Sequence, residues 1–494
     1  MRRIVDSPWL FFILAAALLV AAAVSQFRVY TPEERALGSA EDIARIRARD
    51  DVNVIFILVD TLRADRVGAY GYPRPTTPIL DSHASKGIRF AKVESQSSWT
   101  KASMASLWTG MYPQRTGVMN YSHAIPEEAV LPAELFQQAG FRTAGIWRNG
   151  WVANNFGFDQ GFDLYIRPTP IRRPGVQRKT PSSHALMGTD ADATESAIEF
   201  IEAYQRERFF LYIHYMDVHQ YLYADTSPDF GSTFSDFYDS AIHWTDRNIG
   251  FIMDALEERD LRNRTIVVIA SDHGEAFFEH GGEGHARTLY REVQQVPLVV
   301  LLPFDLAPGI VVEETVANVD IWPTVLDLVG LPSLEGAEGR SLVPLVERAG
   351  GHTVRAAEAE QLAERPVFSQ LDRSWGRMGD EPKPVVAMVK GPYRYIEWHF
   401  GASPPKLFDH DADPLEKNDL AEEQPDLVAA LARDIEFFLS EENTTWGGPK
   451  EVEIDEMRMH QLRALGYVIE DRRELRERER ERSAEESPDG STAQ

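Results

Sequence analysis

Residues suited to metal binding and to nucleophilic attack lie after and between apolar runs of the sequence. Asp60 ends one such run, Asp272 and His273 follow another, and Thr100 lies between them along the chain. Two carboxylates, an imidazole and a hydroxyl together form an oxygen-rich site for a divalent metal ion. A metal ion is one means of lowering the pKa of a threonine hydroxyl, which is otherwise a poor nucleophile at neutral pH. The pattern indicates metal-assisted chemistry at a hydroxyl group.

A simpler interpretation exists for each residue alone, because a carboxylate after a buried strand often only caps the next helix. That alternative applies most directly to Asp60. As a group, however, the residues would hold an ion able to neutralise a phosphoryl or sulfuryl substrate. A nearby helix N-terminus and Lys101 would add positive potential. We therefore predict a site for an anionic ester, with Lys101 among the residues that bind substrate.

Apolar runs of the strand type alternate with helical stretches over some 300 residues. The predicted strands are 52–59, 209–214, 265–270 and 297–302, and the predicted helices include 190–206 and 234–258. Strands that are apolar throughout are typical of a parallel sheet covered on both faces. The alternation predicts a doubly wound, mostly parallel α/β sheet. Functional residues are then expected at the carboxyl ends of the strands, where Asp60 and Asp272 fall.

The remaining sequence predicts further segments around this sheet. Short strands at 385–390, 393–399 and 406–408, with a helix near 425–439, indicate a small C-terminal antiparallel α+β subdomain. The predicted division is 1–25 as a signal or membrane anchor, 26–50 as a linker with one helix, 51–345 as the catalytic domain, 346–442 as the C-terminal subdomain and 443–494 as a charged, partly disordered tail.

The N-terminus predicts export from the cytoplasm. Arg2 and Arg3 precede an uncharged apolar run at 9–24, which is typical of a signal peptide or of a single membrane anchor. The positive-inside rule places the rest of the chain on the other side of the membrane. The expected location is extracytoplasmic, with an anchor at residues 9–25 or with secretion after signal removal.

Composition excludes several functions. The chain has 494 residues, with 51 Lys+Arg against 77 Asp+Glu and a formal net charge of −26. This argues against nucleic acid as a partner, because binding phosphate backbones requires a basic face. The chain has no cysteine, which excludes disulfides, thiolate metal sites and thiol nucleophiles.

Six segments, in order along roughly residues 52–420, resemble the sulfatase family of the alkaline-phosphatase superfamily. They are Asp60–Asp65 with Gly68–Gly71, Ala105–Gly110, His214–His219, Ser271–Glu275, Gly284–Tyr290 and Leu407–Pro414. In turn they resemble the opening motif, the end of the nucleophile segment, the central substrate-binding motif, the second metal motif, the histidine that follows it and the closing C-terminal segment. The resemblance implies a metal-dependent ester hydrolase.

The resemblance also implies roles for single residues. Asp60, Asp272 and His273 correspond to metal ligands. Thr100, ten positions before Gly110, corresponds to the nucleophile and is expected to bind the ion as well.

Three further residues correspond to the part of the site that binds the substrate's anionic head. His219 and His285 match groups that touch it, and Arg148 lies near the family's anion-binding lysine. The alternatives are a surface charge for Arg148 and hydrogen-bonded structural roles for the two histidines. With Asp217, the same histidines would alternatively supply a second metal site, as in the superfamily's phosphatases.

The nucleophile segment departs from the family pattern. Sulfatases convert the first residue of a Cys/Ser-x-Pro-x-Arg segment to formylglycine, whereas here Thr100 takes that position, Ala102 replaces the proline and Met104 the arginine. Threonine carries a methyl group on Cβ and cannot be oxidised to that aldehyde. A threonine nucleophile instead resembles the superfamily's phosphodiesterases and its phosphoethanolamine and phosphoglycerol transferases.

The metal ligands depart as well. Thr61 replaces a second aspartate that is common in the family, and His273 replaces an amide. One carboxylate fewer and one nitrogen ligand more favour a single zinc or manganese ion, with calcium or magnesium as alternatives.

The first hypothesis is a sulfatase-family, metal-dependent hydrolase or transferase of phosphate or sulfate esters that uses Thr100 without formylglycine. Thr100 attacks in line, and His285 or His219 assists the leaving group. The second hypothesis is a catalytically inactive binding or scaffold protein, motivated by Ala102 and Met104. A sulfate-ester hydrolase that uses unmodified threonine is the third.

Overall fold

A computed structural model of the chain describes residues 35–168, 176–178, 188–352, 354–377, 380–441 and 446–463, together with Phe12 and Ile469. The chain divides into two compact units, Met1–Ala36 and Leu37–Gln494, and the elements named below belong to the second. Apart from Phe12, the predicted signal or anchor at 9–25 lies outside the described residues, and of the predicted tail at 443–494 only 446–463 and Ile469 are described. Within the described part, no helix is both long and apolar enough to cross a membrane.

The strands and helices follow one another along the second unit. The strands are β1 (Leu37–Gly38), β2 (Asn53–Val59), β3 (Ile88–Glu94), β4 (His123–Ala124), β5 (Arg142–Ile146), β6 (Leu164–Ile166), β7 (Val176–Arg178), β8 (Phe209–Tyr215), β9 (Leu222–Ala224), β10 (Thr265–Ala270), β11 (Ala276–Phe277), β12 (Glu283–Gly284), β13 (Gln295–Leu301), β14 (Asp305–Leu306), β15 (Ile310–Ala317), β16 (Val367–Asp372), β17 (Pro384–Lys390), β18 (Tyr393–Trp398), β19 (Lys406–Asp409) and β20 (Lys450–Glu451). The α-helices are α1 (Ala40–Ile46), α2 (Pro78–Ala84), α3 (Thr100–Thr109), α4 (Pro113–Thr116), α5 (Pro132–Gln138), α6 (Asp190–Tyr204), α7 (Phe234–Glu257), α8 (Arg291–Gln294), α9 (Ile321–Leu328), α10 (Val343–Ala349), α11 (Ala356–Glu364), α12 (Pro425–Ser440) and α13 (Glu456–Arg463).

An eight-stranded sheet forms the centre, in the order β15–β3–β13–β10–β2–β8–β5–β6. Neighbouring strands pair in parallel except at β13, which runs antiparallel to both β10 and β3. The strand predicted at 297–302 is therefore present but reversed. Between β10 and β13 lie the short hairpin β11–β12 and the four-residue helix α8, whereas parallel neighbours are usually joined by a longer crossover helix. The mostly parallel α/β sheet confirms the predicted fold class.

Strand β2 shows how both faces of this sheet are buried. Phe56 and Leu58 pack into one apolar cluster, which also contains residues of α3 and α9. Ile57 and Val59 point the other way, into a cluster with residues of α6 and α7. Because side chains alternate along a strand, only a sheet covered by helices on both sides buries such a continuous apolar run.

The C-terminal part of the chain adds an antiparallel sheet in the order β16–β17–β18–β19, with α12 packed on it. Strand β16 was not predicted from the sequence. A buried ion network joins this sheet to the end of β3: Arg394 Nη2 donates to both carboxylate oxygens of Glu94 (2.9 Å), and its Nε donates to Glu416 (2.6 Å). The predicted C-terminal α+β subdomain is thus present, while the domain boundaries stay predictions.

Candidate active site

The predicted metal ligands come together at the carboxyl ends of two neighbouring parallel strands. Leu58 of β2 pairs with Ala270 of β10, so Asp60 and Asp272 each lie two residues beyond the same pair. One ligand atom from each of Asp60, Asp272 and His273 lies within 4.8 Å of the others, and all three residues are buried. Among the described residues, this is the one group of histidines and carboxylates with the spacing of a metal site.

One carboxylate oxygen of Asp60 accepts hydrogen bonds from other residues of the protein. Its Oδ2 accepts hydrogen bonds from Asn149 Nδ2 (2.6 Å) and His214 Nε2 (3.0 Å). Its Oδ1 is buried and has no hydrogen-bond partner in the part of the chain that the structure describes. Because a buried, unpaired carboxylate oxygen is costly, this atom is suited to bind a cation.

Asp272 repeats the arrangement. Its Oδ1 accepts hydrogen bonds from the backbone N–H groups of Thr61 (3.1 Å) and His273 (3.0 Å), whereas the buried Oδ2 has no hydrogen-bond partner among the described residues. His273 Nδ1 lies 3.0 Å from the carbonyl of Gly274. Since a carbonyl only accepts, Nδ1 carries the proton and Nε2 presents a lone pair. Two orphaned carboxylate oxygens and an imidazole lone pair fit a divalent cation.

The charges of the site point to the same ligand. Burial and the negative charge of Asp60 raise the pKa of Asp272. Burial also disfavours the ionised form of Asp60, yet the hydrogen bond from His214 and the nearby histidines hold the pKa of Asp60 well below its usual range. The two carboxylates therefore repel each other in the protein alone, and a cation between them would relieve this repulsion.

Thr100 lies beside this group at the N-terminus of α3. It is the first residue of the helix, and all ten residues of α3 are buried. Its Oγ1 is 3.1 Å from His273 Nε2 and 3.5 Å from Asn149 Nδ2. Ser103 Oγ donates to the backbone oxygen of Asp272 (2.6 Å), which fixes the helix against the loop after β10. The positive end of the helix dipole thus faces the place where an anionic substrate would lie.

Two residues of the site received no role from the sequence. Asn149 follows β5, and its Oδ1 accepts a hydrogen bond from the N–H of Trp151 (2.9 Å), so its Nδ2 must face Asp60. His214 lies near the end of β8, and its Nδ1 is 2.6 Å from the hydroxyl of Tyr212. Both lie at or just beyond the carboxyl ends of central strands, which is the signal that could have found them.

The predicted histidines His219 and His285 also reach the site. Their rings lie 5.0 Å apart, and the ring of His285 lies 4.5 Å from that of His273. Burial lowers the pKa of His219 to about 4 and that of His285 well below its usual value. His285 Nδ1 is 3.2 and 3.3 Å from the two carboxylate oxygens of Glu275, whose own pKa is raised to about 7 by burial.

Lys101 points into an aromatic environment. Its Nζ donates to the carbonyl of Tyr121 (2.5 Å) and lies 3.8 Å from the centre of the Phe156 ring and 5.1 Å from that of Trp151. The side chain is completely buried, and burial holds its pKa well below the usual value. Lys101 would have to leave these contacts to bind substrate as predicted.

Arg148 is likewise buried in an ion network. Its Nη1 donates to Asp190 and to Asp217 Oδ1 (2.5 Å), and its Nη2 donates to the carbonyl of Gly188 (2.6 Å). Asp217 Oδ2 in turn accepts hydrogen bonds from Trp244 Nε1 and from the N–H of Asp190, both at 2.9 Å. These contacts give the guanidinium a structural role. They also engage both oxygens of the Asp217 carboxylate, which the alternative second metal site would need.

Two protein-family models match parts of the chain. Residues 52–331 match the sulfatase family, and residues 279–439 match the C-terminal region of N-sulphoglucosamine sulphohydrolase. The first match covers more than half of the chain. The chain therefore belongs to the sulfatase family, and the protein is an enzyme of the ester hydrolase class.

Individual relatives agree with this assignment. An arylsulfatase from Hemicentrotus pulcherrimus is 25% identical over 341 residues, which are 59% of this chain and 61% of the relative, less than two thirds of its length. Arylsulfatase K from Gallus gallus is 25% identical over 449 residues, which are 77% of this chain and 81% of the relative.

Solved structures share the fold. A protein in complex with its substrate D-glucosamine-2-N,6-O-disulfate has a TM-score of 0.62 at 20% identity, with 79% of this chain and 98% of that chain covered. The phosphonate monoester hydrolase of Agrobacterium radiobacter has a TM-score of 0.62 at 16% identity, with 82% and 100% covered. At these identities the likeness shows the fold alone.

Proposed function

We propose that this protein hydrolyses a sulfate or phosphate ester with the unmodified hydroxyl of Thr100 as nucleophile, and that Asp60, Asp272, His273 and Thr100 hold one divalent metal ion. The position of Thr100 carries the proposal: its Oγ1 lies 3.1 Å from His273 Nε2 at the start of a buried helix, beside two unpartnered carboxylate oxygens. A bound ion would lower the pKa of the hydroxyl and neutralise charge on the ester.

The surrounding residues suit the steps of such a reaction. The N–H groups of the first turn of α3 add positive potential for the anionic head. Thr100 attacks the sulfur or phosphorus in line with the departing ester oxygen, and a threonine ester forms. His219 and His285, whose rings lie 5.0 Å apart, assist the leaving alcohol. Water then releases the anion; an acceptor alcohol in its place would make the enzyme a transferase.

Formylglycine has no part in this proposal. The chain has no cysteine, and the residue at the family's nucleophile position is a threonine whose Cβ carries a methyl group. Ala102 and Met104 replace the proline and arginine of the segment that the family modifies. The unmodified hydroxyl of Thr100 is therefore the nucleophile available at this position.

We propose zinc or manganese as the ion, although sulfatases usually use calcium. Thr61, which replaces an aspartate common in the family, donates its hydroxyl hydrogen bond to the backbone oxygen of Asp60 (2.7 Å). The ligand set is then two carboxylates, a hydroxyl and an imidazole nitrogen, which suits zinc or manganese better than calcium.

The family assignment makes sulfate esters the first substrates to test. Relatives are arylsulfatases, and one structural neighbour was solved with a sulfated sugar as its substrate. The threonine motivates phosphate esters as the second class, which agrees with the fold shared with a phosphonate monoester hydrolase. The predicted extracytoplasmic location and the anchor at residues 9–25 complete the proposal.

The test compares Thr100→Val with Thr109→Val. Valine keeps the shape of threonine and removes the hydroxyl, and Thr109 lies at the far end of the same helix, where its hydroxyl donates to the carbonyl of Ala105 (2.8 Å). Aryl sulfates, aryl phosphate monoesters and aryl phosphate diesters are assayed with zinc, manganese, calcium and magnesium. Intact-mass analysis of the wild type checks that residue 100 is unmodified.

We expect Thr100→Val to lose activity by more than about 10³-fold while Thr109→Val keeps it. Thr100→Val should still bind the ion through the three remaining ligands, Asp60, Asp272 and His273. Activity that survives in Thr100→Val would refute the nucleophile. A wild type that binds metal but cleaves none of these esters would favour the scaffold function instead.

A further inference from the structure

A buried carboxylate to which the proposed reaction gives no role lies opposite His285. Glu275 directly precedes β11 and His285 directly follows β12. The two strands pair in antiparallel fashion, with Ala276 opposite Gly284, so Glu275 and His285 face each other at the open end of this hairpin. Their side chains are 4% and 8% exposed.

The contact between the two side chains fixes the state of the ring. His285 Nδ1 is 3.2 Å from Glu275 Oε1 and 3.3 Å from Oε2. When Glu275 is ionised, its carboxylate only accepts, so Nδ1–H is the donor and Nε2 is the nitrogen that can take and give a proton. The same arrangement, with a carboxylate behind the imidazole, holds the general base of many hydrolases in one tautomer.

The hairpin is also held against the nucleophile segment. The N–H of Ala286, next to His285, donates to the carbonyl of Ser98 (2.7 Å), two residues before Thr100. Ala286 has a φ of +59°, a conformation that a non-glycine residue rarely adopts and that persists where the surroundings enforce it. The imidazole is therefore oriented from two sides, by Glu275 through Nδ1 and by the backbone through Ala286.

We propose that Glu275 is a positioning residue that orients His285 for proton transfer at the leaving-group oxygen; this rests on the function proposed above. As the bond from Thr100 Oγ1 to sulfur or phosphorus forms, His285 Nε2 takes the proton of the threonine hydroxyl. The bond to the ester oxygen breaks, and that oxygen takes this proton from Nε2 and leaves as an alcohol. In the second half, Nε2 takes a proton from the attacking water, the threonine ester bond breaks, and the proton returns to Thr100 Oγ1.

The test uses the dependence of the single-turnover rate of phenol release on the leaving group, because only the first half of the reaction involves that group. The full-length protein is assayed with the 4-nitrophenyl and the phenyl ester of whichever anion it cleaves. 4-Nitrophenolate departs readily without a proton, whereas phenolate needs one. The variants are Glu275→Gln, His285→Ala, the double variant, Thr100→Val and, as a matched control on the same hairpin, Glu283→Gln.

We expect Glu275→Gln to lower the single-turnover rate for the phenyl ester by about 10- to 100-fold, to affect that for the 4-nitrophenyl ester much less, and to leave unchanged the concentration that gives half the maximal rate. In the His285→Ala background the second substitution should add nothing, because Glu275 acts through His285. Glu283→Gln should behave as the wild type.

An equal fall of the single-turnover rates for both esters, or no fall, would overturn the role of Glu275, as would a full additional loss in the double variant. If Glu275→Gln fails to fold, Glu275→Asp gives the same comparison with a shorter carboxylate. Thr100→Val keeps the two proposals apart: activity in that variant would refute the nucleophile whatever Glu275 does.

Discussion

Replacing Asp272 by asparagine should change the stability of the protein in opposite directions with and without metal. In the metal-free protein, Asp272 Oδ2 is buried without a hydrogen-bond partner among the described residues, and burial and the charge of Asp60 raise the pKa of Asp272. An amide at this position carries no charge and can donate a hydrogen bond towards Asp60 Oδ1, which is also unpartnered.

The expected change in stability can be given a size both without and with metal. A buried, unsatisfied polar group costs about 1–3 kcal/mol, so metal-free Asp272→Asn should be more stable than the metal-free wild type by about 1–3 kcal/mol. With an ion at about 1,000 times its dissociation constant, the wild type gains about 4 kcal/mol. The variant has lost one of two carboxylate ligands and should gain far less, so the order of stabilities reverses.

Urea unfolding at 25 °C, followed by tryptophan fluorescence, measures both conditions: first in chelator, then in excess zinc or manganese. Asp239→Asn is the control, because the buried Asp239 carboxylate is already bonded to Tyr72 (2.6 Å) and Arg74 (2.8 Å). This control should be less stable than the wild type in both conditions and should respond fully to metal. An Asp272→Asn protein that is less stable than the wild type in chelator, or that gains as much from metal, would refute the reasoning.

Two further predictions concern buried charges away from the proposed metal group. Arg148→Met leaves Asp190 and Asp217 without their buried cation and should lower the free energy of unfolding by about 3–5 kcal/mol; a loss below about 1 kcal/mol in urea unfolding would contradict the structural role. Asp246 is buried, and although it accepts hydrogen bonds from the N–H groups of Ile79 and Leu80, burial raises its pKa to about 7. The contribution of protonated Asp246 to the free energy of unfolding is thus complete below pH about 4. It is lost as the pH rises through about 7, by up to about 4 kcal/mol. Asp246→Asn should remove this dependence, so that the free energy of unfolding of the variant rises relative to that of the wild type between pH about 4 and about 7 in urea unfolding. Parallel pH profiles of the two proteins would show that Asp246 does not titrate there.

Much of the fold could be predicted because its strands are apolar throughout. The runs at 52–59, 209–214 and 265–270 became central strands within a residue of the predicted bounds. The direction of β13 could not be predicted, since the same apolar run fits a parallel and an antiparallel neighbour. Strand β16 was missed because Ser369, Gln370 and Asp372 interrupt its apolar pattern, although the fold buries all three.

The sequence by itself determined the residue types of the site: carboxylates and a histidine after two buried runs, a threonine where an oxidisable residue is usual, and no cysteine in the chain. Only the tertiary structure shows what surrounds the two predicted substrate-binding cations. Lys101 and Arg148 are close to Thr100 and Asn149 in the chain, yet one is enclosed by aromatic rings and the other by two carboxylates. Asn149 and Glu275 owe their positions to strand neighbours and to a hairpin register, and such contacts between distant segments leave no periodic signal in the chain.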